Sequence, residues 1–331
     1  MSGPGQNGSG SNAAAPGIEA LRLDGAGGAS PIDPATAASP EIPAWVHIDF
    51  SDPQADDWAW NQSGLDEAVV GPMLDLESRP RTLQHGNGVL ITLRGVNLNP
   101  GARLEDMISL RIWLEPGRVV TAARRRLRSV TEVRAEMDKG TGPETPALLL
   151  LELLDRLNRY IGEATERIEE RIDAAEEEVH RAGGAARNSA FTRLRRQTAQ
   201  IRRYLMPQRE ALDRLSRLSD SPLSAPEQIE LREQLNRLTL SLEDLDLVRE
   251  RALVAQEELL NLLAHEQNSR MLVLSIVAAI FLPLSFLTGL FGMNVAGLPG
   301  LEYRGSFLLI ALLMVLMAVV ILAIFRMRKW L

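Results

Sequence analysis

Two long runs without a charged residue stand in the last third of the chain. Residues 271–291 read MLVLSIVAAIFLPLSFLTGLF, and residues 306–325 read SFLLIALLMVLMAVVILAIF. As helices, both runs reach about 30 Å, which matches the hydrocarbon thickness of a bilayer. The alternative, a pair of core helices in a soluble protein, would require every face of both helices to be buried. The pattern therefore predicts a multi-pass membrane protein with two transmembrane helices.

Basic residues at the outer ends of the two runs predict the orientation of this hairpin. Arg270 precedes the first run, and Arg326, Arg328 and Lys329 follow the second, whereas the connection 292–305 carries one base and one acid. Positive residues collect on the cytoplasmic side of a membrane. Both termini are therefore expected in the cytoplasm, with the connection outside and the protein in the inner (plasma) membrane.

The region before the two uncharged runs begins with a segment of small residues and proline, and polar and apolar positions then alternate. Residues 1–42 are rich in Gly, Ala, Ser and Pro, which predicts a disordered linker. Residues 43–143 predict an α/β domain, and their alternation predicts a sheet that is covered on one face. The predicted strands cover residues 44–50, 88–96, 107–114 and 117–122, and the predicted helices cover 64–76 and 129–139.

Residues 144–270 predict long helices of opposite charge. An acidic helix is followed, across Gly183 and Gly184, by a basic one, and such a pair favours an antiparallel hairpin. Mutual charge complementarity is one explanation, and a ring of acidic helices that gathers cations near a pore mouth is another. A nucleic-acid partner is not expected, because the aromatic residues of a stacking platform are missing. The acidic residues are Glu163, Glu166, Glu169, Glu170, Asp173, Glu176, Glu177 and Glu178, and the basic ones are Arg193, Arg195, Arg196, Arg202, Arg203, Arg209, Arg214 and Arg217.

Leucines at alternating spacings of four and three mark the last long helix before the membrane. They follow a capping box, Ser224-Ala225-Pro226-Glu227, and occupy the a and d positions of a coiled coil. No proline or glycine separates this helix from the first uncharged run, so one helix of about 100 Å is expected to enter the bilayer. Such a stalk predicts a homo-oligomer around a common axis. The leucines are Leu231, Leu235, Leu238, Leu242 and Leu245.

A stripe of small and apolar residues continues along one side of the first transmembrane run. Its members recur at spacings of three and four and lead to Asn294. Helix packing within a membrane favours small residues and hydroxyls and would account for the stripe, and a pore lining would have the same pattern. The stripe consists of Met271, Leu274, Ala278, Leu282, Ser285, Gly289 and Gly292.

Composition limits the function classes. The chain has no cysteine, so disulfides and thiolate metal sites are excluded, and its net charge of −7 also argues against a nucleic-acid partner. No Walker loop, nucleophile elbow or HExxH motif is present, so neither an enzyme nor a cofactor site is expected. Of the four histidines, His265 lies beside the membrane and is the best candidate metal ligand, although a solvated histidine would look the same.

The loop after the first run carries a resemblance to a known family. Gly292, Met293 and Asn294, placed after FLPLSFLTGLF at 281–291, resemble the signature of CorA-type metal-ion transporters. The extension NVAGLPG at 294–300 is similar to the ZntB zinc-transport branch. SRPR at 78–81, LITLR at 90–94, GTGP at 140–143, RRYLMPQR at 202–209 and the terminal KWL also resemble that branch, so the likeness spans residues 43–331.

The resemblance implies a CorA-like α+β fold, built as a funnel-shaped homopentamer in the lipid bilayer. It comprises a cytoplasmic α/β domain (43–143), long helices forming a funnel and stalk (144–270), a pore-lining helix (271–291), an external loop (292–305), a second transmembrane helix (306–325) and a cytoplasmic tail (326–331). By the same resemblance, Asn294 stands at the outer mouth of the pore and contacts a hydrated ion. Ser285, Leu282, Ala278, Leu274 and Met271 then line the path inward.

The resemblance also implies the cargo, a divalent metal cation that is transported rather than held as a cofactor. Zinc is the first expectation, from the ZntB-like loop. Met293 departs from that branch and is the residue that the magnesium branch carries, and Ala296 replaces a second glycine. A magnesium, cobalt or general divalent-cation channel is therefore the alternative. A membrane-tethered coiled-coil scaffold or sensor is a further one, since the heptads alone would serve it.

Overall fold

A computed structural model describes residues 17–76, 79–181, 188–293 and 305–328, which divide into two compact units. The first unit contains a seven-stranded sheet and the helices that cover it, as far as Ala255. The second contains the chain from Gln256 onward, with two apolar helical segments. The α+β class and the two C-terminal apolar helices are confirmed.

The secondary structure begins with short strands and helices and continues with long helices. The strands are β1 (Ile18–Leu23), β2 (Ala29–Pro31), β3 (Ala44–Asp49), β4 (Arg81–His85), β5 (Gly88–Gly95), β6 (Ile108–Glu115) and β7 (Arg118–Ala123). The helices are α1 (Pro53–Asn61), α2 (Glu67–Leu74), α3 (Arg128–Met137), α4 (Pro146–Arg181), α5 (Asn188–Ser216), α6 (Ala225–Phe291) and α7 (Ser306–Met327). The predicted break at Gly183 and Gly184 lies outside the described residues.

The sheet is mixed and has the order β2-β1-β3-β7-β6-β5-β4. Only the β3–β7 pair is parallel among the described strands, and the others are antiparallel. All four strands predicted from alternation are confirmed, with ends that shift by one residue. Sequence reasoning missed α1, which begins at Pro53 after Asp52, whose carboxylate accepts a hydrogen bond from Gln54 N at 2.9 Å.

The prediction of a sheet with one covered face was wrong, since every residue of β6 and β7 is buried. One face carries the cross-strand row Val46, Val120, Trp113 and Leu90, which belongs to a core cluster with residues of α1 and α2. Helix α5 covers the other face, where Thr82 Oγ1 donates to the Ala211 carbonyl at 2.7 Å. Polar members of the alternation such as Thr82 and Thr121 are therefore buried instead of solvated.

The prediction that residues 1–42 are disordered was wrong for the part that the structure describes. Strand β1 pairs with β3 over Ile18–Arg22, and it turns into β2 around Asp24, whose carboxylate accepts hydrogen bonds from Ala26 N and Gly28 N at 2.7 and 2.9 Å. Ile18, Leu21 and Leu23 are buried. Composition misled because these few apolar residues are placed where a preformed sheet edge can bury them.

A buried arginine joins the segment after β2 to the centre of the sheet. The Arg118 side chain is 2% exposed and pairs with Glu115 at 2.6 Å. Its Nη1 donates to the carbonyls of Ala37, Ala38 and Ser63 at 3.3, 2.7 and 2.8 Å. These bonds fix residues 37–38 against β7, since a buried guanidinium needs acceptors for its donors.

The heptad leucines of α6 pack within the chain's own first unit. Leu231, Leu238, Leu242 and Leu245 are at most 4% exposed in a single chain. Their helix contacts α4, where Asn158 Nδ2 donates to the Gln234 carbonyl at 2.9 Å. The prediction that this seam joins copies of the chain was therefore wrong, because a helix of the same chain already covers it.

The acidic helix α4 forms ion pairs with an arginine that the sequence analysis did not identify. Arg251 of α6 lies 2.5 Å from both Asp173 and Glu176 of α4, and these carboxylates raise the pKa of the guanidinium. The expected contact between α4 and α5 is present as well, since Arg171 Nη1 donates to Gln197 Oε1 at 2.6 Å. The described ion pairs of the acidic part of α4 with another helix are thus made with α6, whereas its hydrogen bond with α5 is to a neutral amide.

Candidate ion-conduction site

The predicted stripe lies on one side of the last part of α6. At about 100° of rotation per residue, all its members from Met271 to Gly292 fall within an arc of about 80°. Leu274 and Leu282 are each 70% exposed in the single chain, and Ser285 and Gly289 are exposed too. The segment therefore presents a continuous apolar face, interrupted by one hydroxyl, over the length of a membrane span.

The helix ends at Phe291, about one turn beyond Thr288. Thr288 Oγ1 donates to the Ser285 carbonyl at 3.0 Å, and Gly292 N donates to the Thr288 carbonyl at 2.9 Å. A Cβ atom at position 292 would lie 2.8 Å from that carbonyl oxygen, which is closer than real side chains come. Gly292 is thus required by a close approach of the backbone, and it allows the helix to end where the signature begins.

The rest of the signature is only partly described. Met293 follows the end of α6 and is 47% exposed. Asn294 lies outside the described residues, so its place at a pore mouth stays a prediction. The same holds for Ala296 and the external loop to residue 304.

Helix α7 is apolar on all its faces. None of its residues is buried within the described chain, although nearly all are apolar from Phe307 to Phe325. By length and composition, α7 and the last part of α6 are both suited to cross a membrane. An apolar helix without internal cover requires lipid or another protein surface around it.

His265 stays an isolated candidate. It is exposed on α6, its carbonyl accepts a hydrogen bond from Ser269 Oγ at 3.0 Å, and nearby Arg270 pairs with Glu266 at 2.7 Å. No group of three or more metal-ligating side chains occurs among the described residues. A zinc site at His265 would need ligands from elsewhere.

His47 and His85 have structural partners instead. His47 Nδ1 lies 2.8 Å from Thr121 Oγ1 inside the sheet, and burial lowers the pKa of the ring to about 4. His85 Nε2 lies 3.3 Å from Asp66 Oδ2, beside a backbone bond from Ala68 that lowers the pKa of this carboxyl. Both side chains therefore have partners within the α/β domain.

The sheet, the long helices and the pair of uncovered apolar helices together define a membrane transporter with a large polar domain. Residues 41–329 match the model of a family described as CorA-like Mg2+ transporter protein, and the chain belongs to this family. It is accordingly a divalent-cation transporter and not an enzyme.

Relatives with curated names agree over nearly the whole length. The chain is 37% identical to the divalent cation transporter CmaX of Pseudomonas aeruginosa, over 88% of this chain and 89% of that protein. It is 31% identical to the zinc transport protein ZntB of Yersinia enterocolitica, over 95% and 96% of the two chains.

Solved structures share the fold. The superposition on the structure of full-length CmaX covers 94% of this chain and 97% of the CmaX chain, with a TM-score of 0.82 and 35% identity. The CorA magnesium transporter of Methanocaldococcus jannaschii covers 95% and 98%, with a TM-score of 0.81. At 16% identity, this second likeness supports the fold alone.

Sequence reasoning missed a second stripe on α6, beside the leucine seam. Leu240, Leu247 and Val254 follow a spacing of seven and are 58%, 55% and 60% exposed. Their period is that of a helix packing surface, yet the chain leaves them uncovered. The spacing of seven could have identified this second stripe. The leucine seam beside it has a stronger pattern, and the heptad was therefore assigned to the seam alone.

Proposed function

We propose that this protein carries Zn2+ across the inner membrane as a homopentamer, through a pore that the α6 stripe lines. The observation that supports the pore is the uncovered stripe from Met271 to Gly292, which has the length of a membrane span. One such helix cannot enclose a path for an ion. Several copies around an axis can, with the stripe of each copy turned inward.

Oligomer formation has its own support in the first unit. Leu240, Leu247 and Val254 are exposed at heptad spacing, whereas the parallel leucine seam is already covered by α4. Burial of three large aliphatic side chains would contribute several kcal/mol per contact surface, at about 1.5–3 kcal/mol for each side chain. A stoichiometry of five rests on the family resemblance.

Cargo selection is the finer part of the proposal. Zinc is supported by the likeness to ZntB, a zinc transport protein, over 95% of this chain. A second candidate, Mg2+ or divalent cations in general, is favoured by Met293 and by the relative named divalent cation transporter. The described stripe contains no carboxylate that could bind a dehydrated ion tightly. In either case we therefore expect it to conduct a hydrated ion.

Flux into proteoliposomes tests the proposal. The protein is reconstituted with a zinc-sensitive dye inside the vesicles, and Zn2+ influx is followed with and without excess Mg2+ outside. The zinc proposal predicts saturable Zn2+ influx that a hundredfold excess of Mg2+ reduces by less than half. Strong inhibition by Mg2+, together with Mg2+ influx, would favour the second candidate, and no flux of either ion would contradict both.

A further inference from the structure

A cavity of about 580 Å³ lies between α4, α5 and the loop that joins β5 to β6. Its basic side chains come from all three elements: Arg103 from the loop, Arg171 from α4, and Arg193 and Arg196 from one face of α5. Glu105 is the only carboxylate among the described lining residues. Four guanidinium groups against one carboxylate give the cavity an excess positive charge.

This charge is not neutralised within the described part of the chain. Arg103, Arg193 and Arg196 are exposed and form no ion pair there, in contrast to Arg251, which binds two carboxylates. Unpaired like charges held near one another repel and destabilise the fold. The grouping of arginines from three elements thus indicates that an anionic ligand binds between them.

The floor of the cavity is fixed by a buried amide. Gln197 is 8% exposed, and its Oε1 accepts from Arg171 Nη1 at 2.6 Å while its Nε2 donates to Glu105 Oε2 at 2.9 Å. This chain of hydrogen bonds ties α4 to the β5–β6 loop through α5. It holds Arg171 in place and directs the single carboxylate toward an amide donor.

We infer that this cavity binds a multiply charged phosphate group. A guanidinium presents several donors in a planar fork that fits phosphate oxygens, and several arginines match a phosphate chain better than a single charge. The volume falls within the range of small-ligand sites. A soluble polyphosphate, such as the phosphate chain of a nucleotide, and an anionic lipid headgroup share this chemistry. The inference does not depend on which metal ion the protein transports.

Inorganic tripolyphosphate is the probe, and binding to the full-length protein in lipid-free detergent is measured by calorimetry at about 0.15 M salt. Saturable binding to the unmodified protein is expected. The double variant Arg193→Gln/Arg196→Gln should lose about tenfold or more in affinity, because two charge-assisted contacts are removed. Unchanged elution from a sizing column confirms that the variant is folded.

A matched control is available on the same helix. Arg209 and Arg214 are exposed on α5, outside the lining, and form no ion pair among the described residues. The variant Arg209→Gln/Arg214→Gln removes the same charge and should change the affinity by less than about twofold, since exposed distant charges are screened. Glu105→Gln should instead tighten binding, because it removes the only carboxylate and keeps an acceptor for Gln197.

Two results would overturn the inference: no saturable binding to the unmodified protein, or equal losses in the two double variants. Nanodiscs separate the two sources of phosphate. If phosphatidylglycerol weakens tripolyphosphate binding to the unmodified protein, relative to phosphatidylcholine, a lipid headgroup occupies the cavity. Equal affinity in both lipids identifies a soluble phosphate compound as the ligand.

Discussion

At the scale of single residues, buried polar groups that stabilise the fold differ from exposed ones on the proposed pore-lining stripe. Arg118 and His47 are held inside the sheet by named partners, whereas Ser285 is exposed on α6. Buried polar groups are costly when a partner is lost, and exposed ones are not. Substitutions at the first kind should change stability, and those at the second kind should change flux.

Arg118→Met should lower the free energy of unfolding by about 3–5 kcal/mol, because Glu115 would stay buried without its partner and three carbonyls would lose a donor. Chemical denaturation in detergent measures the loss. Arg217→Met is the control: its ion pair with Asp213 is surface-exposed and should contribute less than about 1 kcal/mol. Similar losses in the two variants would contradict the structural role of Arg118.

The half-buried ring of His47 predicts a dependence of stability on pH. Burial lowers its pKa from 6.5 to about 4, so between these values the unfolded chain binds a proton that the folded chain does not. The contribution of His47 is therefore present above pH 6.5 and is lost as the pH falls toward 4. The unfolding temperature of His47→Gln should decline less over this window than that of the unmodified protein, and parallel curves would exclude the effect.

Asn294 tests the proposed pore mouth. A ring of amide oxygens would accept hydrogen bonds from the water shell of a divalent ion, without the tight binding of a carboxylate ring. Asn294→Gly also permits a helix-ending conformation but removes the amide. We expect a loss of at least about tenfold in metal flux with the oligomer intact. Near-normal flux would mean that Asn294 only ends a helix.

At the scale of elements, α6 combines two kinds of surface along one continuous helix. Its leucine seam packs on α4, and its last part carries an uncovered stripe between Met271 and Gly292. Pro283 is accommodated within the described helix and does not end it.

Neighbouring alanines distinguish the stripe from the rest of α6. Ala278 lies within the stripe and Ala279 is turned about 100° away from it, although both are half-buried in the single chain. Ala278→Trp should abolish Zn2+ flux in proteoliposomes, because an indole would fill the path. Ala279→Trp should retain most of it. If both variants conduct equally, the stripe packs against a helix and does not line a pore.

At the scale of the whole molecule, the two units differ in what surrounds their apolar surface. The sheet of the first unit buries aliphatic side chains on both of its faces, whereas α7 in the second unit has no buried residue. The contrast is that between a domain folded in water and a hairpin folded in lipid. The orientation of that hairpin determines the side on which the large domain lies.

The chain has no natural cysteine, so single cysteines report topology directly. Ser2→Cys should be protected from an impermeant thiol reagent in intact cells and react after lysis. Ser306→Cys, at the outer end of α7, should react without lysis. We expect this pattern because the basic residues Arg270, Arg326 and Arg328 flank the spans on the side of the two chain termini. Labelling of Ser2→Cys in intact cells would contradict the predicted topology and indicate an external N-terminus.

Sequence patterns predicted those elements whose periodicity is strong. Strands β3, β5, β6 and β7 and the two membrane helices were found from alternation or from uncharged length. Strand β1 and the role of Arg118 were not found, because both depend on partners distant in sequence: Ile18 pairs with Ile48, and Arg118 binds the Ala38 carbonyl. The arginine cavity was likewise hidden, since its members come from three separate elements.

The pairing of β1 with β3 has a consequence for where the folded domain begins. The family match starts at residue 41, but a protein shortened to that point would lack β1, β2 and two of the carbonyls that Arg118 contacts. Strand β3 would then become the rim of the sheet, with a row of open backbone donors and acceptors. Such a rim recruits strands from other molecules, so the shortened protein should aggregate. We therefore expect the β1–β2 hairpin to prevent aggregation, because it covers the edge of β3.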